Sequence, residues 1–142
     1  MKVSPNFNIE EFVPKSVWLK YGDNSLWFVD QRIISFAQTL REFVNRPVTI
    51  NDWHMSGPLQ YRGFRPPEYT EGAKMSQHRF GRAIDISVNG MFSDELANLI
   101  IERRLAAWPY ITAIENPEHT PTWVHVDCRN STAKDLLIVD PV

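Results

Sequence analysis

Cysteine is almost absent from this chain of 142 residues: Cys128 stands alone, so no intramolecular disulfide holds the fold. Long apolar runs are missing too, and no stretch approaches the roughly 18 residues that a membrane-spanning helix needs. Neither sign of charge dominates. A formal net charge of -2 gives no reason to expect nucleic acid or an anionic membrane as a partner. Internal repeats and low-complexity tracts are lacking, which excludes solenoids and disordered linkers. The opening "MKVSPNFNIEEFVPKS" is polar, carries two prolines and has no apolar segment of the signal-peptide kind. The expectation is therefore a chain that is cytoplasmic as synthesised.

What remains is a hydrophobic fraction of 43%, enough for a core, in a length that suits one domain, residues 1–142, expected as a monomer. Asn8–Phe12 reads as a short helical turn capped by Asn8 and stopped before Pro14. Ile33, Phe36, Ala37, Leu40, Phe43 and Val44 recur at helical spacing and predict a helix over about 30–45, ended by Pro47. "VTIND" then alternates as a strand does. Residues 54–75 hold three glycines and three prolines and read as a long loop, a feature more often functional than filler. Ala83–Val88 reads as a strand. A second helix is expected from Ser93 as N-cap, with Leu96, Leu99, Ile100 and Leu105 facing the core and Pro109 closing it. "YITAIE" and "TWVHVD" predict two more strands, and "LLIVD" an edge strand. The order points to an α+β fold, a small mostly antiparallel sheet with helices packed on one face.

Alternation within the strands carries the chemistry. Ile84, Ile86 and Val88 share one face, and Asp85 lies on the other; in the later strand Val124 and Val126 oppose Trp123, His125 and Asp127. If both aliphatic faces turn toward the helices, Asp85 and His125 emerge together, and His78 can fold back over them from the preceding loop. Two imidazoles and one carboxylate suit a tetrahedral zinc with an open fourth position. A hydrogen-bonding surface histidine fits the alternation as well.

A resemblance goes further. "SQHRFGRAID" resembles the Ser-x-His-x-x-Gly-x-Ala-x-Asp signature of the zinc D-Ala-D-Ala peptidases, and "WVHVD" their second signature. That superfamily shares its fold with the Hedgehog signalling domain and includes vancomycin-resistance dipeptidases and phage peptidoglycan endopeptidases. "GFR" at 63–65 and "GAKMSQH" resemble the segments that precede the first signature, so the likeness runs over roughly residues 47–130. It implies a Zn2+ peptidase acting on a peptidoglycan peptide next to a D-amino acid. His78, Asp85 and His125 would ligate the metal, Arg65 would meet the substrate, and Ser76 would bond it or brace the loop. Gly81 and Ala83 would leave room beside the ligands. A phage lysis enzyme that reaches the wall after release, or a virion-associated hydrolase, would suit so compact a chain.

One position departs from the pattern. The peptidases carry a carboxylate three residues before the last histidine, as general base; here that residue is Thr122. Glu115, at the end of the preceding strand, is the favoured substitute, with Glu118, His119 and Asp127 as alternatives. Trp53 and Trp123 are candidates for a groove wall, and Cys128 for packing rather than a fourth ligand. The departure keeps a second reading open: a non-catalytic, zinc-stabilised binding module of the same fold.

Overall fold

The computed structural model describes residues 1–141 and is α+β: three helices and one mixed five-stranded sheet. In chain order the elements are α1 (Lys15–Tyr21), α2 (Gln31–Val44), β1 (Val48–Thr49), β2 (Ala83–Val88), α3 (Ser93–Ala107), β3 (Ala113–Glu115), β4 (Val124–Asp127) and β5 (Leu137–Val139). The strands lie in the order β1-β2-β4-β3-β5. Every pairing is antiparallel except β3 with β5, and β5 is the edge strand that "LLIVD" predicts. Among the described residues no helix is long and apolar enough to cross a membrane.

The apolar period after Asp30 folds as α2. The Asp30 carboxylate accepts from the Arg32 backbone N–H at 2.9 Å and caps the first turn. Ile33, Phe36, Ala37 and Leu40 are fully buried, while Phe43 stays half-exposed under the Arg103 guanidinium, 4.6 Å from its ring. Gln38, off the apolar stripe, is buried against the N-terminal segment, where it accepts from the Ser4 hydroxyl and the Asn6 N–H and donates to Asn6. These helical side chains share one core with Ile84, Ile86, Val88, Val124 and Val126 of the sheet and Leu96 and Ile100 of α3. Trp108 seals it edge-on to Phe36, with ring centroids 5.3 Å apart.

Several boundaries differ from expectation. The cap of α3 is Phe92, and Ser93 is its first helical residue; the Ser93 hydroxyl donates instead to the Pro121 carbonyl at 2.6 Å. Leu105 faces away from the core and is exposed. "VTIND" contributes only Val48–Thr49 to the sheet, because the Asn51 backbone N–H donates to the Glu11 carbonyl instead of continuing the ladder, while its buried side chain donates to the Val13 carbonyl and accepts from the Arg62 N–H. Asn8 does begin the expected turn: its N–H donates to Glu11 at 2.8 Å, the reciprocal half of a capping box. Lys15–Tyr21 is too short for an apolar period to announce it.

The long loop is pinned at several points. Phe64 donates to the Phe12 carbonyl, Arg65 to the His78 carbonyl, and Asp85 to the Arg62 carbonyl. Gly63 makes the first of these bonds feasible, since a Cβ there would stand 2.2 Å from the Phe12 oxygen. Gly81 is tighter still. It has φ +68, and its Cβ would lie 1.8 Å from the Phe28 carbonyl oxygen. The room it provides is thus against Phe28, not beside the histidine and aspartate of its motif. Gly81→Ala combines a left-handed backbone with that clash and should lower stability by about 2–4 kcal/mol. A urea titration followed by circular dichroism reads this, and an unchanged midpoint would contradict it.

Candidate metal centre

Antiparallel pairing sets Asp85 of β2 directly opposite His125 of β4. Directly paired residues hold their Cβ atoms about 4.5–5.5 Å apart on the same face, so the two side chains meet. His78 reaches them from a 3-10 turn at Gln77–Phe80, where its carbonyl accepts from Arg65 and Gly81. All three residues are buried. His78 Nε2 lies 3.2 Å from Asp85 Oδ1 and 3.2 Å from His125 Nδ1, and His125 Nδ1 lies 2.9 Å from the same carboxylate oxygen.

The outward nitrogens fix what faces inward. His78 Nδ1 sits 2.8 Å from the Gly63 carbonyl, which can only accept, so this nitrogen carries the hydrogen and Nε2 presents a lone pair. His125 Nε2 sits 2.9 Å from Asp127 Oδ2. Asp127 is fully buried and ionised: burial alone would raise its pKa, but hydrogen bonds from Arg129 and His125 bring it to about 2. Arg129 grips both of its oxygens, at 2.8 and 2.6 Å. Asp127 therefore accepts from His125 Nε2 and leaves Nδ1 to face the site.

Two lone pairs and a carboxylate oxygen then converge with no donor among them, an arrangement suited to a cation. The 2.9–3.2 Å edges of this triangle approach the roughly 3.3–3.4 Å between donors that share a tetrahedral metal at 2.0–2.1 Å. The His78, Asp85 and His125 group could hold a metal ion on these grounds. Without a metal, a proton suits the same arrangement. Burial would lower the His125 pKa, yet its bonds with Asp127 and Asp85 raise it to about 9. Burial pushes His78 the other way, toward the neutral imidazole that a metal requires. Asp85 stays ionised, because the two imidazoles outweigh its own burial.

Around this centre the chain gathers most of the residues its sequence nominates. Arg65, Ser76, Glu115 and Trp123 line a cavity of about 260 Å³ together with His78, Asp85 and His125. Arg65 donates to Asp85 Oδ2 at 3.3 Å and to the Tyr61 carbonyl at 2.8 Å. A second cleft, about 470 Å³, shares Ser76, Glu115 and His125 with the first. Glu115, at the end of β3, has a raised pKa, chiefly through burial, with His125 opposing.

Other candidates lie elsewhere. Thr122 is exposed, and its carbonyl accepts from the Ser87 hydroxyl. Glu118 and His119 are exposed and line neither cavity; His119 pairs with Asp140 at 3.4 Å. The Asp127 carboxylate is consumed by Arg129 and His125. Trp53 donates its indole N–H to the Val13 carbonyl and lines neither cavity. Cys128 is buried in the hydrophobic core, with its thiol pushed up to about 12 mainly by burial, so it packs and does not ligate.

Three contributors escaped the sequence reading: the Gly63 carbonyl, Arg129, and the wall formed by Val139–Pro141. Arg129 had a signal, since it stands two residues past Asp127, as Asp127 does past His125. No protein-family model matches the chain, and no match was found among curated proteins or solved structures.

The Arg129–Asp127–His125 relay orients a candidate ligand through its far nitrogen, a role whose loss typically weakens metal binding. One divalent metal per chain is expected, and Asp127→Asn should lower its affinity about 10–100-fold. Competition against a chromogenic chelator, with circular dichroism as a control for folding, measures this. Equal affinity in variant and parent would show that the relay does not support the metal.

Proposed function

We propose that the chain is a zinc metallopeptidase of the D-Ala-D-Ala peptidase type, with the Hedgehog/DD-peptidase fold, that hydrolyses a peptide bond in peptidoglycan stem or cross-bridge peptides. The observation that carries this reading is the triangle of His78 Nε2, Asp85 Oδ1 and His125 Nδ1, set in a cavity with a carboxylate and a guanidinium. Three protein ligands of this type, with a cavity on the open side, match the donor set of catalytic zinc sites. The likeness of "SQHRFGRAID" and "WVHVD" to the peptidase signatures supplies the substrate class. A phage lysis enzyme or virion-associated hydrolase is the setting this reading favours.

Zinc held by these residues would supply Lewis acidity, making water a competent nucleophile near neutral pH and polarising the scissile carbonyl. Glu115 is the general base: its carboxylate lines the same cavity and can take the proton of the attacking water and return it to the leaving amine. Its raised pKa suits that exchange better than an ordinary glutamate's. Arg65 spends one N–H on Tyr61 and one on Asp85, and its remaining N–H groups can fix a substrate carbonyl or carboxylate. Ser76, lining both cavities, offers its hydroxyl along the path between them.

Thr122 favours a second reading, a binding module that keeps the metal and lacks hydrolysis. The two readings part on muropeptides. The zinc-loaded chain should release products, a chelator should stop it, and added zinc should restore it. Glu115→Gln should lower kcat about 10²–10⁴-fold with zinc still bound. No chelator-sensitive product on any wall chemotype would leave only the binding module, and full activity in Glu115→Gln would place the base elsewhere.

A further inference from the structure

The 3-10 turn that presents His78 to the metal centre presents Phe80 to solvent on another side. There Trp27, Phe28, Phe64 and Phe80 line an open groove of about 600 Å³ with Arg79, Arg82 and Asp30. Trp27 is 74% exposed and Phe80 48%, and the two rings share this one groove. The floor is firm. Phe28 and Phe64 stack at 5.2 Å with their planes 10° apart, and Gly81 locks the two walls together by accepting from Asp30 while nesting against the Phe28 carbonyl.

Size and charge select the occupant. The groove is built from eight residues, far short of the 20–30 a side that a stable protein interface uses, whereas its volume falls among those of small-ligand sites. Arg32 neutralises Asp30 through paired bonds at 3.0 and 2.8 Å. Arg79 and Arg82 therefore leave the groove positive and rich in donors, with the Arg82 guanidinium 5.2 Å from the Phe80 ring. A pyranose fits this chemistry. Its C–H face stacks on an indole, and acetamido carbonyls accept from guanidinium groups.

We propose that the Trp27–Phe80 groove seats the acetamido-sugar strand of the polymer whose peptide is cleaved at the metal centre. The proposal rests on the peptidoglycan reading above for its choice of polymer. One turn then holds the sugar and the peptide in fixed relation.

The test uses the full chain, ¹⁵N-labelled and without added metal, titrated with the β-1,4-linked tetramer of N-acetylglucosamine. The Trp27 indole N–H signal should shift selectively, ahead of those of Trp18, Trp53, Trp108 and Trp123. Trp27→Ala should weaken binding at least about tenfold, equivalent to about 1.4 kcal/mol, while Trp27→Tyr should retain most of it. Because Trp27 is exposed, these replacements leave the core untouched. No shift up to about 10 mM sugar, a weak affinity already, would overturn the proposal. So would undiminished binding by Trp27→Ala, or a Trp27 shift caused by stem peptide alone. Selective sugar binding by a chain that cleaves nothing would uphold the groove and end the peptidase reading. Cleavage of free stem peptides with no response to sugar would do the reverse.

Discussion

The antiparallel register of β2 on β4 places Asp85 against His125, and the candidate metal centre depends on it. Strand side chains alternate strictly, so a slip of one residue would set Asp85 opposite Val124 or Val126, and one of the two strands would have to turn its aliphatic side chains out of the core. Exposing two such side chains would cost roughly 3–6 kcal/mol, a large part of the stability of a domain this size. The helices thus secure the site without touching it. By burying the aliphatic face, they decide which residues can stand on the other.

Register alone delivers two groups, and the third comes from a loop fixed by close backbone packing. Gly63 lies against the Phe12 carbonyl and lends its own carbonyl to His78; Gly81 lies against Phe28 and ends the turn that carries His78. The N-terminal segment therefore helps to position His78 through these two glycines. Asp127 and Arg129 play the corresponding part for His125. Each imidazole is held by its outward nitrogen, and the inward geometry follows.

The strands and their faces were legible because period-two alternation survives in short segments: Ile84, Ile86, Val124 and Val126 pointed one way, Asp85 and His125 the other. Helix α2 was legible for the same reason at period 3.6. Strand lengths were not, since the Asn51 backbone N–H donates to the Glu11 carbonyl and that of Ile111 to the Trp108 carbonyl, both outside the ladder. The Gly63 carbonyl and the Val139–Pro141 wall depend on where a loop and an edge strand run in space, which no local pattern encodes. Leu105 and Phe43 show the limit of periodicity at helix ends, where the core no longer reaches the stripe. Among the four nominated carboxylates and imidazoles, only tertiary placement could set Glu115 apart from Glu118, His119 and Asp127.

The central claim is that the chain prepares three inward-facing donors by pinning two different outward nitrogens. Long-range ¹H–¹⁵N correlation of the histidine side chains in the zinc-saturated protein tests it most directly. The account predicts mixed ligation, with His78 protonated at Nδ1 and bound through Nε2, and His125 protonated at Nε2 and bound through Nδ1. Ligation through the same nitrogen type in both rings, or a doubly protonated His78 or His125 at saturating zinc, would contradict it.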